Sequence, residues 1–302
     1  MITVNLKKLM KKKYMLNYLL SLLLVCYASL VQAETNMPTL ERISQNKIIN
    51  IGYRDAAPYS YKTSDGHVVG YVIELCKDVT KALKKNLHIN DLVVNYIPVP
   101  ITMRTTMLNH NIIDMDCSVN TDTAKRESVV LFSRHYLSVY TRFGTRSGNT
   151  IYSIADLTGK TTSVTKGTSD LIEINILNRE QQLNLLLLSL PTMNESFEAM
   201  STHKSFATAI NEVSLKQLIE SSEDPKAYQM SELTLGKPLD LGIMLRHDDI
   251  AFKKIVDEAL SARFKRDDFR EFYEQWFNSK LPGKNINLHM PLTPELYRYL
   301  IK

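Results

Sequence analysis

Cysteine is scarce in this chain, with three in 302 residues, and there is a single tryptophan. Cys26, Cys76 and Cys117 follow no zinc-binding spacing, and the seven histidines are scattered, so no metal site is expected. Internal repeats and low-complexity segments are missing too, which excludes a repeat array. An excess of one charge disappears once the chain is divided. Of 37 basic residues against 32 acidic ones, five lysines (Lys7, Lys8, Lys11, Lys12 and Lys13) lie in residues 1–33, which hold no acid. The rest of the chain is balanced. The pI near 8.9 therefore belongs to the leading segment, and no basic face for nucleic acid remains.

The long apolar run is confined to Met15–Val31, short of the ~20 residues that a spanning helix needs. It follows the lysines and ends at Val31-Gln32-Ala33, an A-x-A-like cleavage site before Glu34. Residues 1–33 read as a cleaved secretory signal peptide. Val25 precedes Cys26 where a lipid-modification site wants a small residue, so no lipid anchor is expected. In an oxidising compartment Cys76 and Cys117 leave two alternatives, one disulfide or two buried thiols.

What remains, residues 34–302, is long enough for two modest domains of ~100–200 residues each. Strand and helix patterns alternate, which predicts an α/β protein with largely parallel sheets. Helices are expected over 39–45, 72–85, 104–108, 171–178, 195–203 and 251–262, with an aromatic helix over 269–277. Strands are expected over 48–53, 92–97, 112–117, 137–146, 161–164, 185–190, 206–210 and 239–245, and an extended tail over 281–292. The run LSVYTRFGTR looks like a strand leaving the first domain, and 239–245 like the return. The expected boundaries are 34–142 with 239–302 for a discontinuous lobe 1, and 143–238 for lobe 2.

The most informative stretch is Ile48 to Leu75. A short apolar strand ends at Arg54, an aromatic-proline loop follows (Pro58, Tyr59, Tyr61), then a Ser64-Asp65-Gly66 turn, and Gly70-Tyr71 opens a helix. A cation where a strand ends is where open α/β sheets bind ligands.

This arrangement resembles the start of the family 3 bacterial extracellular solute-binding proteins. Val69-Gly70-Tyr71 matches the V-G-[FY] signature of that family, and Asp156-Leu157-Thr158-Gly159-Lys160 its D-L-x-G-K signature. The ending EQWFNSKLPGKNINLHMPLTPEL resembles that of its glutamate/aspartate-binding members. The resemblance implies the type II periplasmic-binding-protein fold, with two α/β lobes joined by two crossing strands and a ligand cleft between them. It also implies a monomer in the periplasm, without cofactor or catalytic residues, that passes an acidic amino acid to the permease of an ABC importer.

Carried over position by position, the resemblance implies that Arg54 and Arg104 hold the distal carboxylate and Arg126 the α-carboxylate. Guanidinium forks suit bidentate carboxylate recognition. Thr121 falls in the polar loop before Arg126, and Gly167-Thr168 matches a threonine at a helix N-terminus. Several positions depart from the pattern. Ile101 and Val119 stand where the family has serines, and Met193 where it has a histidine. The acid that pairs with the ligand's ammonium falls at Asn211, with Glu212 beside it. If Asn211 is the contact, the expected ligand is an acid without an amine; if Glu212 takes the role, an acidic amino acid is expected. Two other functions share the fold. One is a cyclohexadienyl dehydratase-like enzyme acting on prephenate or arogenate, for which Glu74, Asp116 and Glu212 are candidate acids. The other is a diverged sensor or interaction protein.

Overall fold

The computed structural model describes residues 37–302, with Met15 alone before them, so the signal-peptide reading and Cys26 lie outside the described residues. Among the described residues no helix is long and apolar enough to cross a membrane.

Two five-stranded sheets organise the chain. The first begins with helix α1 (Thr39–Asn46) and strand β1 (Ile48–Tyr53). Ile49 and Ile51, on one face of β1, are fully buried, and Gly52 on the opposite face is buried too, as an interior strand covered on both faces requires. A small hairpin, β2 (Tyr61–Lys62) with β3 (Val68–Val69), leads into α2 (Tyr71–Leu87). Gly70 lies at the entry to α2 with φ of +141°, and a Cβ there would meet the carbonyl oxygen of Tyr59 at 2.3 Å. Only glycine fits that approach, which explains why glycine precedes the aromatic residue in this signature. Next come β4 (Val93–Pro98), α3 (Arg104–Asn109), β5 (Met115–Asp116), α4 (Ala124–Glu127) and β6 (Val130–Phe132).

Strand β7 (Leu137–Arg146) then carries the chain into the second sheet. That sheet adds β8 (Thr161–Thr165), α5 (Ser169–Glu180), β9 (Leu186–Leu190), α6 (Met193–Ser201), β10 (Ala207–Asn211), α7 (Glu212–Glu220) and β11 (Tyr228–Leu241). The order is β11-β7-β10-β8-β9, parallel from β10 through β9 and antiparallel at β7 and β11. The chain returns through β12 (Met244–Arg246), which completes the first sheet in the order β4-β1-β5-β12-β6. Leu241 pairs with Leu137, so the two strands that cross between the sheets are hydrogen-bonded to each other.

Three helices close the chain: α8 (Ile250–Phe264), α9 (Phe269–Phe277) and α10 (Pro294–Ile301). The aromatic face of α9 packs on the first lobe, where Tyr71 stacks on Phe272 at 5.2 Å and meets Phe277 edge-on at 5.0 Å. Trp276 is 2% exposed and meets the ring of Tyr61 edge-on. Cys76 on α2 and Cys117, just past β5, form a disulfide, which resolves the alternative left open by the sequence.

The structure corrects one sequence expectation and adds an element. The apolar run 239–245 is not one strand, because Gly242 separates the end of β11 in one sheet from β12 in the other. The segment 228–238, where the sequence suggested no element, is strand despite Gly236, Lys237 and Pro238. β11 lies at the sheet edge, where a missing N–H is tolerated.

Candidate functional site

All six residues singled out from the sequence line one cavity: Arg54, Arg104, Thr121, Arg126, Thr168 and Asn211. Its volume is about 30 Å³, room for only about two water molecules, and it is walled by residues of both lobes. Arg54 and Met193 also line an adjoining cleft of about 720 Å³, whose apolar wall includes Pro98, Pro100 and Ile101. Val119 and Met193 contribute apolar wall to the inner cavity.

Each arginine reaches the cavity from the end of an element. Arg54 follows β1, and its Nη2 donates to the carbonyl of Val119 at 2.6 Å while its Nε donates to Ser118 Oγ at 3.3 Å. Arg104 opens α3; its Nη1 donates to Asn120 Oδ1 at 3.1 Å and its Nη2 to the carbonyl of Gly167 at 2.9 Å. Arg126 lies on α4, whose cap Thr123 accepts from the Arg126 backbone N–H. Its guanidinium donates to the carbonyls of Thr121 at 2.7 Å and Gly167 at 3.1 Å. Gly167 therefore takes one donor from each of two arginines of the other lobe. Its φ is +74°, and a Cβ would press on Ile101 Cγ2 at 3.0 Å, so glycine is required in this turn.

Two of the five N–H donors on each guanidinium are engaged in these bonds, which leaves donors for a carboxylate ligand. The electrostatics agree with an anion site. Burial lowers the Arg104 pKa well below the usual arginine range, and the charges of Arg126 and Arg54 lower it further. Burial, then the charge of Arg54, brings Arg126 down to about 10. Clustered cations that repel one another in a desolvated cavity favour a bound anion.

The threonines and Asn211 have local duties. Thr168 Oγ1 caps α5, accepting from Leu171 N and donating to the carbonyl of Thr165 at 2.7 Å. Asn211 caps α7 through Ser214 N, and its Oδ1 also accepts from the Tyr59 hydroxyl of the first lobe at 3.1 Å. Glu212 does not line the cavity. Its carboxylate pairs with Arg142 Nε at 2.8 Å and accepts from Tyr140 N, so of the two alternatives the structure brings Asn211, not Glu212, to the cavity.

Sequence reasoning missed Asn120, which orients Arg104, and above all Asp170, which lines the cavity at 6% exposure. The only sequence signal for Asp170 is an acid in the first turn of a helix, which ordinarily reads as a complement to the helix dipole. Among the described residues no group of three or more His, Cys, Asp or Glu is arranged to hold a metal ion.

Comparisons with known proteins bear on the family and the fold. The family model described as bacterial extracellular solute-binding proteins, family 3, matches residues 49–279. The glutamate/aspartate import solute-binding protein of Escherichia coli K12 is 30% identical, over 91% of this chain and 92% of that one. The L-glutamate/L-aspartate-binding protein of Pseudomonas aeruginosa is 28% identical, over 89% and 90%. Among solved structures, the substrate-binding protein of an ABC uptake transporter from Streptococcus pneumoniae, with bound histidine, superposes with a TM-score of 0.69. It is 22% identical and covers 81% of this chain and 98% of that one, a likeness of fold. The chain thus belongs to the bacterial extracellular solute-binding proteins, family 3, and has their two-lobed type II fold.

Proposed function

We propose that this chain is the periplasmic solute-binding protein of an amino-acid ABC importer and takes a glutamate- or aspartate-like ligand between its lobes. The observation that carries the reading is the convergence of Arg54, Arg104 and Arg126 on one cavity walled by both lobes. Relatives named for glutamate and aspartate, matched along nine-tenths of their length, support the same ligand class. The lobes are taken as 34–142 with 239–302, and 143–238, after removal of a signal peptide over 1–33.

In this reading the first lobe supplies the guanidiniums that catch both carboxylates, and Thr121 and the α5 N-terminus at Thr168 add polar contacts. An amino acid needs more than the present inner volume, so binding is coupled to movement of the lobes about the paired strands β7 and β11. The protein acts as a monomer, needs no cofactor, and hands its ligand to the permease without changing a bond.

Thermal unfolding of residues 34–302 against glutamate, aspartate, glutamine, succinate, 2-oxoglutarate and prephenate tests this. A ligand at 100 times its Kd stabilises by about 2.7 kcal/mol, which shifts Tm visibly. Glutamate or aspartate is expected to give the largest shift; no shift with either would count against the reading. The dehydratase reading has one observation in its favour, the presence of Asp170 in the cavity; Glu74, Asp116 and Glu212 do not line it. Incubation with prephenate is expected to leave it unconsumed, and its consumption would favour the enzyme.

A further inference from the structure

The position where the family acid meets the ligand's ammonium is Asn211 here, which carries no charge. A charged group from another element nevertheless lines the same cavity. Asn211 pairs across the β10–β7 ladder with Thr141, and directly opposed residues on antiparallel strands lie only about 5 Å apart at Cα. The hydroxyl of Thr141 donates to Oδ1 of Asp170 at 2.5 Å. Asp170, in the first turn of α5, is thereby tied to the strand residue that pairs with Asn211, and both residues line the cavity with the three arginines. Thr141 is fully buried, Asp170 nearly so, and the bond between them fixes the direction of the carboxylate.

We propose that Asp170 is the specificity-determining countercharge for the α-ammonium of the bound amino acid, doing from α5 what the family acid does from the end of β10. This rests on the reading of the cleft as an amino-acid site. It removes the inference, drawn from Asn211 alone, that the ligand lacks an amine. The carboxylate also meets a chemical requirement. Three guanidiniums recognise carboxylates without distinguishing an amino acid from its deaminated analogue, and a buried carboxylate supplies that distinction. A bound ammonium would in turn favour the ionised form of a group whose pKa burial raises to about 6.

The test is calorimetric titration of residues 34–302 and of Asp170→Asn with glutamate, aspartate and the amine-free analogues glutarate and succinate. The native chain is expected to prefer the amino acids. Asp170→Asn is expected to lose at least about 30-fold in affinity for them, while glutarate and succinate bind as well as before or better. Equal losses for both classes would mean that Asp170 only holds Arg126 or the loop in place, and would overturn the proposal. An unchanged preference for the amino acids would overturn it too. If the native chain bound no amino acid, the functional reading would fail first and the role of Asp170 with it. Asp170→Glu, which keeps the charge and moves it by one methylene, is expected to keep the preference at reduced affinity, a result that a purely structural role would not give.

Discussion

The phenol of Tyr59 donates a hydrogen bond to Oδ1 of Asn211, a contact between buried groups of the two lobes. Burial raises the Tyr59 pKa well above the usual tyrosine value, so this donor is present at every physiological pH. The bond joins the lobes when they are together and is lost when they part. A neutral hydrogen bond contributes about 1 kcal/mol net. Tyr59→Phe is therefore expected to weaken ligand binding by about fivefold, read by calorimetry, with little change in the preference among ligands.

Arg126 has the opposite profile. It donates to the carbonyls of Thr121 and Gly167 and lines the cavity. Arg126→Ala is expected to reduce binding by more than about 100-fold, because truncating one member of a desolvated, hydrogen-bonded charge pair costs about 2–5 kcal/mol. Arg126→Lys is expected to recover little, since an ammonium does not reproduce the guanidinium fork. Unchanged affinity in Arg126→Ala would remove this residue from the ligand site.

Asn211 and Asp170, which line one cavity, predict a rescue. Asn211→Asp keeps an oxygen for Tyr59 and Ser214 and restores an acid at the end of β10. In an Asp170→Asn background it is expected to return at least about tenfold of the lost amino-acid affinity. No recovery would show that the charge must come from α5.

These residues also mark where the sequence was legible and where it was not. Arg54 was readable because it stands where a strand of an open α/β sheet ends, while Arg104 and Arg126 were readable through the family resemblance, which carried them over by position. Asp170 was not, because its role depends on Thr141, 29 residues away, and on the ladder that sets Thr141 opposite Asn211. The choice between Asn211 and Glu212 was left open for the same reason. Neighbouring residues at a strand–helix junction point to different sides, and Arg142 on β7 draws Glu212 outward. Among the elements, the strong periodicities of α2 and α9 were plain. β11 was hidden by Gly236, Lys237 and Pro238, which only an edge position tolerates.

Two pH windows follow from the titrating groups. Asp170 has a folded pKa raised to about 6 from the unfolded value of 3.8, chiefly by burial. The folded state holds that proton more tightly, so stability falls as pH rises between those two values. Asp170→Asn is expected to remove this slope and to raise the stability of the ligand-free protein at pH 7.5 by on the order of 1–3 kcal/mol. His135 has a folded pKa raised above 6.5, first by its hydrogen bond to Asp122. Its contribution is present in full below 6.5 and is lost as pH rises through the folded value. His135 also meets Tyr299 of α10 at 2.8 Å. His135→Gln is expected to flatten the decline of Tm as pH rises above 6.5. A decline of the same steepness in the variant would assign it to another group.

The Cys76–Cys117 disulfide closes a loop with a sequence separation of 41 and ends next to Ser118 and Val119, the partners of Arg54. By loop entropy its removal costs about 3–4 kcal/mol. Cys76→Ser with Cys117→Ser is expected to lower Tm by several degrees and to weaken binding through the displaced Arg54. An unchanged Tm would mean that the bond adds nothing to the fold.

The central claim is that an acidic amino acid binds between the lobes, held by three arginines. Its most direct test is calorimetric titration of residues 34–302 with glutamate, aspartate, arginine and histidine under one set of conditions. The account predicts one site per chain, with glutamate or aspartate bound tightest and arginine bound weakly or not at all. Tighter binding of arginine or histidine, or no binding of either acidic amino acid, would contradict it.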